Sequence, residues 1–571
     1  MADDGRPTRV LEPSVRYRAY LTFATRDAWR LLTGPRADGR PRLPGLPATL
    51  RRYAALGMAE RSGRRGRAAR LARELLVPYP DLRLPLWSLA ADERRHGEIG
   101  AAAATMARLR PLAAPRAVRV RAAELDDWRR ETDPTWLPAI PGPPRPVVPE
   151  DPVSVLHLLK ISLPDRQSGY TIRSREVLRA QRAAGLAPQV VTPFGYPPDR
   201  EDGPAPRVEV VDGVRHHRLS PGASLRGMLD TVALERTAIG AAEVGVAERP
   251  AVLHAASGHR GYELALVGLA LREHLRRPLV YEVRGFLEAS WTGQADIAAT
   301  AATAELTVRR RAQEDRILRA VDGVTTLGMA MRDELVTRGV PADRIGVVPN
   351  GIDPEAFAPT PRDPALVARY GLGDRWVFGY VSNMDHFREG HDLLIEATAR
   401  LVADGRKVVC LLVGDGTLRP QLEAHARDAG IAGSVVFTGQ VPHDEVRAHY
   451  ALFDAFVIAR AEDRAARFTT PLKPYEAMAM GLPLIVSDLP ALTEIAARDE
   501  RGLIVPVGDA AAVAAALRTL QDRPDLGARL AAAGRSWVLA ERTWAANGPR
   551  YRELYAAVVE RYERGAAISA S

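Results

Sequence analysis

Cysteine is nearly absent from this 571-residue chain. Its one example, Cys410, lies in the apolar run Val408-Val409-Cys410-Leu411-Leu412-Val413. A single thiol excludes an internal disulfide, and its neighbours predict burial in a strand rather than reactivity. Lysine is almost as scarce, with Lys160, Lys407 and Lys473 set against 76 arginines. No apolar run approaches the roughly 20 residues that a membrane-spanning helix needs. Residues 1–9 hold no apolar signal-peptide core, so a cytoplasmic protein is expected. No Asp-x-Asp or His-Cys cluster occurs. His216 and His217 are adjacent in a predicted hairpin strand and point to opposite faces, so no metal role is assigned.

Hydrophobic residues at 46% and charged residues at 26% are ordinary for a globular protein, and the length predicts three or four domains at roughly 150 residues each. The net charge of +9 is unevenly placed. Residues 1–150 hold 28 arginines and 17 acidic residues, a net +11, which leaves −2 for the remainder.

The pattern divides the chain at two places. Residues 1–132 read as an Arg-rich helical extension, with helices over 15–32, 66–76, 87–109 and 115–130. No convincing repeat period emerges. Residues 133–152 carry so much proline that a semi-rigid linker is predicted rather than a packed element. From 153 to 355, apolar strands at 153–159, 189–192, 252–255, 279–283, 324–327 and 345–348 alternate with helices, and a hairpin is expected at 208–219. A second series spans 356–540, with strands at 376–381, 408–413, 435–438, 455–458, 484–486 and 503–505. Alternation of this kind predicts parallel sheets covered on both faces. A terminal helix in 541–571 is expected to cross back to the first sheet domain. Two such domains in series should leave a ligand cleft between the carboxyl edges of their strands.

The most informative stretch is Thr469-Thr470-Pro471-Leu472-Lys473-Pro474-Tyr475-Glu476-Ala477-Met478-Ala479-Met480-Gly481. Two prolines preset the entry to a short helix that closes at Gly481. Lys473 and Glu476 share one face of its first turn. A helix N-terminus with a lysine beside it attracts phosphate, and a nearby carboxylate accepts from ribose hydroxyls. These residues predict a nucleotide diphosphate site. An ordinary strand-helix crossover with a surface Lys-Glu pair is the structural alternative.

With Ser168-Gly169-Tyr170, Val348-Pro349-Asn350-Gly351-Ile352-Asp353, Val413-Gly414-Asp415-Gly416 and Phe437-Thr438-Gly439, this stretch resembles the retaining glycosyltransferases of family four, over about residues 153–565. The resemblance implies a GT-B fold, two Rossmann-like domains facing a cleft. It is closer to the subgroup of exopolysaccharide and exosortase-type loci, through Leu163-Pro164, Ser168-Gly169-Tyr170-Thr171, Arg173, Tyr281-Glu282-Val283-Arg284 and Thr470–Pro474. Two departures stand out. The family's first glutamate falls at Phe468, leaving Glu462 or Asp463 as substitutes beside Glu476. The usual lysine after the first strand of the second domain falls at Glu389, leaving Arg388 and Lys473 to grip the diphosphate.

The resemblance implies a metal-independent hexosyltransferase with no cofactor, whose donor substrate is a nucleotide diphosphate sugar and whose acceptor is a glycan or lipid-linked saccharide. Arg284, His254, Lys473 and Arg388 are the expected catalytic groups. Ser168, Gly169, Tyr170, Gly414, Glu462, Thr470, Leu472 and Glu476 are the expected donor-binding groups. A satisfied strand-end histidine is the structural alternative for His254, and pairing with Glu282 or Glu288 is that for Arg284. The extension is read as a membrane or protein contact at the inner membrane face, or as a solvated cap. No nucleic-acid partner is expected. Phe468 and Glu389 keep open a non-catalytic sugar-nucleotide scaffold, and the fold also serves epimerases and phosphorylases.

Overall fold

The computed structural model describes residues 46–286 and 302–570, except 63, 113–115, 199, 201, 202, 204, 258–260 and 499, together with 23, 26 and 27. The helix expected at 15–32 and the candidate partner Glu288 therefore lie mostly or wholly outside the described residues.

Two parallel sheets organise the chain. The first comprises β1 (Ser154–Leu158), β2 (Ala187–Thr192), β3 (Val208–Val211), β4 (Val214–Arg218), β5 (Val252–Ala256), β6 (Leu279–Val283), β7 (Gly323–Thr326) and β8 (Ile345–Val347). Their order is β3-β4-β2-β1-β5-β6-β7-β8, and only the β3–β4 hairpin is antiparallel. The second comprises β9 (Trp376–Val381), β10 (Val408–Val413), β11 (Val435–Phe437), β12 (Ala455–Ile458), β13 (Leu484–Ser487) and β14 (Gly502–Val505). Its order, β11-β10-β9-β12-β13-β14, is the doubly wound arrangement with a switch point beside β9. Every residue of β1, β5, β6, β10, β12 and β13 is buried, which explains why they are mainly apolar; the polar exceptions are Ser154, His157, His254, Glu282 and Ser487.

Each sheet has its own core. Val377, Phe378, Leu411, Phe456 and Ile485 centre the second. Leu253, Leu266, Tyr281 and Val324 centre the first. The helix Pro524–Glu541 packs into the second core, whereas Tyr551, Tyr555 and Val558 of the helix Asn547–Ala570 pack against Val155, Val177 and Val280 of the first. The chain thus crosses between domains twice, near 350 and near 544.

The extension forms helices Leu46–Arg61, Arg65–Leu76, Arg83–Arg95, Ile99–Leu112 and Arg116–Glu131 around a third core. The single helix expected over 87–109 is two, because Gly97 adopts φ 78°, a left-handed conformation that breaks the helix. The extension is fixed to the first sheet domain. Leu306, from the helix Glu305–Ala320, belongs to the extension's core, and Glu305 Oε2 accepts from Gly100 N at 2.6 Å. Asp127 Oδ2 accepts from Asp230 N at 2.7 Å, capping the helix Asp230–Glu248.

The linker reading is corrected. Trp136, Leu137, Ile140 and Val147 pack against the first core, and Arg145 N and Val147 N donate to His274 O and Leu275 O at 2.7 and 3.0 Å. Proline sets an extended path here, but the apolar residues between the prolines bind that path to the domain.

Candidate active site

Parallel strands deliver their carboxyl ends to one edge, and there the loops after β1, β6 and β7 meet the segment after β12 and Glu494 of the second domain. A Cβ on Gly169 would sit 3.7 Å from Leu472 Cδ1, and one on Gly285 3.7 Å from Thr469 Oγ1. One on Gly328 would come within 2.8 Å of Thr470 Oγ1 and collide with the Glu494 carboxylate. Glu494 Oε2 accepts from Ala330 N at 3.1 Å, so the second domain caps a helix of the first.

On the first domain, Ser168 N-caps the helix Gly169–Ala183 in a reciprocal box with Thr171: Ser168 N donates to Thr171 Oγ1 at 2.8 Å. That cap turns Gly169 and Tyr170 toward the second domain. On the second domain, Lys473 opens the helix Lys473–Ala479. This helix has seven residues, too few to contribute much dipole, so side chains must carry any phosphate grip. Lys473 is half-buried and has no polar partner among the described residues. Glu476 Oε2 accepts from Tyr450 Oη at 2.6 Å, which leaves Oε1 without a partner among the described residues. Leu472, Lys473 and Glu476 thus stand at the cap and in the first turn of one short helix.

Several expected groups are committed elsewhere. His254 is fully buried, its ring stacked on His157 at 4.6 Å, with Nδ1 2.6 Å from Tyr555 Oη and Nε2 3.4 Å from Glu282 Oε2. Burial holds its imidazole below the usual value. It cannot touch an acceptor, and the expectation of a catalytic histidine is corrected to a core one. Arg284 is 4% exposed and donates to Glu282 Oε2 at 2.7 Å, Ser174 Oγ at 2.8 Å and Tyr170 O at 3.2 Å. It holds the glycine loop from behind rather than facing the substrate. Burial works against the charge on Glu282, but Arg284 and Arg173 outweigh it and hold its carboxyl well below the usual range.

Arg388 lies between carboxylates, its Nε 3.6 Å from Glu389 and its Nη1 3.9 Å from Asp463. It is not a loose cation. Glu389, where the family has lysine, is buried, accepts from Tyr380 Oη at 2.7 Å, and faces Arg460 with both oxygens at 3.1 Å. Burial opposes its charge, yet Arg460, Tyr380 and Arg388 bring its pKa down to about 2. Glu462 projects into solvent beside Arg467 at 3.3 Å, and Asp463 caps the helix Arg464–Phe468 by accepting from Ala465 N at 2.8 Å. Asp463 is thereby committed to a helix cap. Phe468 instead crosses to the first domain and meets Phe286 edge-on at 5.9 Å, with the Arg464 guanidinium 5.0 Å from one ring and 5.3 Å from the other. Gly414 has a backbone reason to be glycine: at φ 138° its Cβ would collide with Ser382 O. Thr470 is buried, and its carbonyl accepts from Asn350 Nδ2 at 2.9 Å.

Sequence reasoning missed Arg460, Tyr450 and Asn350. Arg460 stands two residues beyond β12, a place the pattern marks as a cleft edge. Asn350 entered only as one residue of the Val348–Asp353 motif, with no role of its own. Nothing in the sequence signals Tyr450, which reaches Glu476 only through the fold.

Two family models match the chain, a glycosyl transferase 4-like domain over residues 168–351 and glycosyl transferases group 1 over residues 375–523. A GDP-mannose-dependent α-(1-6)-phosphatidylinositol monomannoside mannosyltransferase of Mycolicibacterium smegmatis is 30% identical over 295 residues, 51% of this chain and 73% of that protein. Its Mycobacterium tuberculosis counterpart is 33% identical over 234 residues, 40% of this chain and 60% of that protein. Among solved structures, a sucrose-phosphate synthase of Thermosynechococcus elongatus superposes with a TM-score of 0.57 at 22% identity, covering 71% of this chain and 100% of that one. Anabaena HepE in complex with UDP gives 0.52 at 16% identity, covering 71% and 100%. These likenesses show the GT-B fold; the family models and the mycobacterial relatives show that the chain belongs to the family-four, group 1 glycosyltransferases.

Proposed function

We propose that this chain transfers a hexosyl group from a nucleotide diphosphate sugar, with retention of configuration and without a metal, to a glycan or lipid-linked saccharide. The observation that carries this reading is Lys473, without a polar partner among the described residues, in the same first helical turn as Glu476 and next to Leu472, which faces the Gly169 loop. Breaking the anomeric C–O bond of the donor builds negative charge on the departing diphosphate. A preplaced cation stabilises that charge more in the transition state than in the ground state. Glu476, steadied by Tyr450, has one oxygen to accept a donor hydroxyl. The departing phosphate oxygen would take the acceptor proton on the same face.

A thermal-shift panel of GDP, UDP, ADP and their sugars tests the site. The relatives' GDP-mannose dependence puts GDP first. One diphosphate should raise the melting midpoint by mass action, and Lys473→Ala should lose most of that shift. No shift from any member would remove the reading and favour a scaffold with another ligand. Retention is checked by proton NMR of the product anomer.

The acceptor reading draws on the lipid acceptors named for the mycobacterial relatives. Arg67 and Arg70 lie exposed three residues apart on the helix Arg65–Leu76 of the extension, where they can meet an anionic membrane face. Flotation with phosphatidylserine vesicles should recover the wild type and fail for Arg67→Glu/Arg70→Glu. Equal absence of binding would discard the membrane contact. A role in polysaccharide biosynthesis stands on the subgroup resemblance.

A further inference from the structure

The Asn350 carboxamide bridges the two halves of the cleft. Arg173 is 2% exposed, and each of its five N–H groups meets an acceptor. Nε and Nη2 reach Glu282 Oε1 at 2.9 and 2.7 Å, and Nη2 also reaches Val348 O at 2.8 Å. Nη1 reaches Pro349 O and Asn350 Oδ1, both at 3.1 Å. The cation therefore dictates which way the Asn350 amide faces: its oxygen toward Arg173, its Nδ2 toward Thr470 O at 2.9 Å. Asn350 is 5% exposed, so water offers little substitute for that acceptor.

The segment around Asn350 is held from its other side. Asn547 Nδ2 donates to Pro349 O at 2.9 Å, and Ile352 N donates to Arg542 O at 2.8 Å. A Cβ on Gly351 would lie 2.8 Å from Trp544 N. The two interdomain crossings are thus bonded to each other and to the buried Arg173–Glu282 pair. Thr470 lies three residues before Lys473, and the same pair holds Arg284, whose Nη1 supports Tyr170 O at 3.2 Å.

We propose that Asn350 is a positioning residue that latches the 469–473 loop of the second domain to the Arg173–Glu282 cluster of the first, and so sets the spacing between the Gly169 loop and Lys473. The contact belongs to the free protein; only its effect on turnover depends on the glycosyl-transfer reading.

Asn350→Asp tests it. The carboxylate still accepts from Arg173 but sets a charged oxygen against the Thr470 carbonyl, so the interdomain bond is replaced by a repulsion. Hydrogen exchange of residues 469–476 should quicken by about tenfold in the unliganded variant, a size matching one buried hydrogen bond, while exchange in β1 and β10 stays as in wild type. With the nucleotide sugar that the wild type turns over, kcat should fall about tenfold and KM change by less than about threefold. Asn350→Ala carries the same expectations without an added charge, so misfolding of one variant leaves the other decisive. Wild-type exchange at 469–476 in a folded variant would overturn the latch whatever the turnover. A wild type that turns over no nucleotide sugar would sink the glycosyl-transfer reading alone.

Discussion

Glu389 shows how a residue read as a defect becomes a support. It stands where the family carries a lysine, and the sequence offers no reason for the exchange. The fold supplies one, because Arg460 and Tyr380 surround its carboxylate in a buried site. Its pKa of about 2, against 4.5 for an ordinary glutamate, is depressed on folding. A depressed carboxylate contributes stability that is complete above pH 4.5 and is lost as pH falls toward 2. The contribution is on the order of 3 kcal/mol. Denaturant titrations at pH 7, 4 and 3 should show wild type losing this stability, with a shallower pH slope in Glu389→Gln. At pH 7 that variant should be weaker by about 3 to 5 kcal/mol, because Arg460 keeps its buried charge without a counter-ion. Equal slopes in both proteins would remove Glu389 from the acid response. Arg284 teaches the complementary lesson. A strand-end arginine signals an anion, but the anion is Glu282, two residues away, so the group supports a loop instead of meeting a substrate.

At the scale of elements, the short helix Arg464–Phe468 is the clearest departure from the family pattern. Spacing placed Phe468 at the position of a sugar-binding carboxylate. The structure uses it as a wedge, with Phe286 at 5.9 Å and the Arg464–Glu334 ion pair at 2.6 Å closing over it. Restoring the family residue should therefore cost stability rather than raise activity. Phe468→Glu is expected to destabilise by about 2 kcal/mol through lost ring packing and cation–π contact. A calorimetric midpoint equal to wild type, or a gain in donor hydrolysis, would contradict the wedge. The helix break at Gly97 was hidden for another reason. Residues 87–109 keep a helical apolar period across it, so periodicity alone joins two helices that one left-handed glycine separates.

For the whole molecule, the extension and the terminal helix decide the assembly. The extension lends its core to Leu306 and caps the helix Asp230–Glu248 through Asp127. Removing residues 1–132 should therefore uncover apolar surface on the first sheet domain and lower its melting midpoint by several degrees, with light scattering reporting association. An unchanged midpoint and a monodisperse solution would show that the extension is a passenger.

The sequence by itself determined both sheets, the strand spans to within a residue or two, the positions of the interdomain crossings and the short helix that carries Lys473 and Glu476. Each is written in local terms, as apolar runs, prolines and glycines that force one backbone answer. Only the tertiary structure decided which charges face the cleft. Whether Arg284, Arg388, His254 and Glu389 meet a ligand or one another depends on partners up to about 300 residues away, such as Tyr555 on His254. Local pattern carries no information at that range, because burial energy rewards any partner that satisfies the charge.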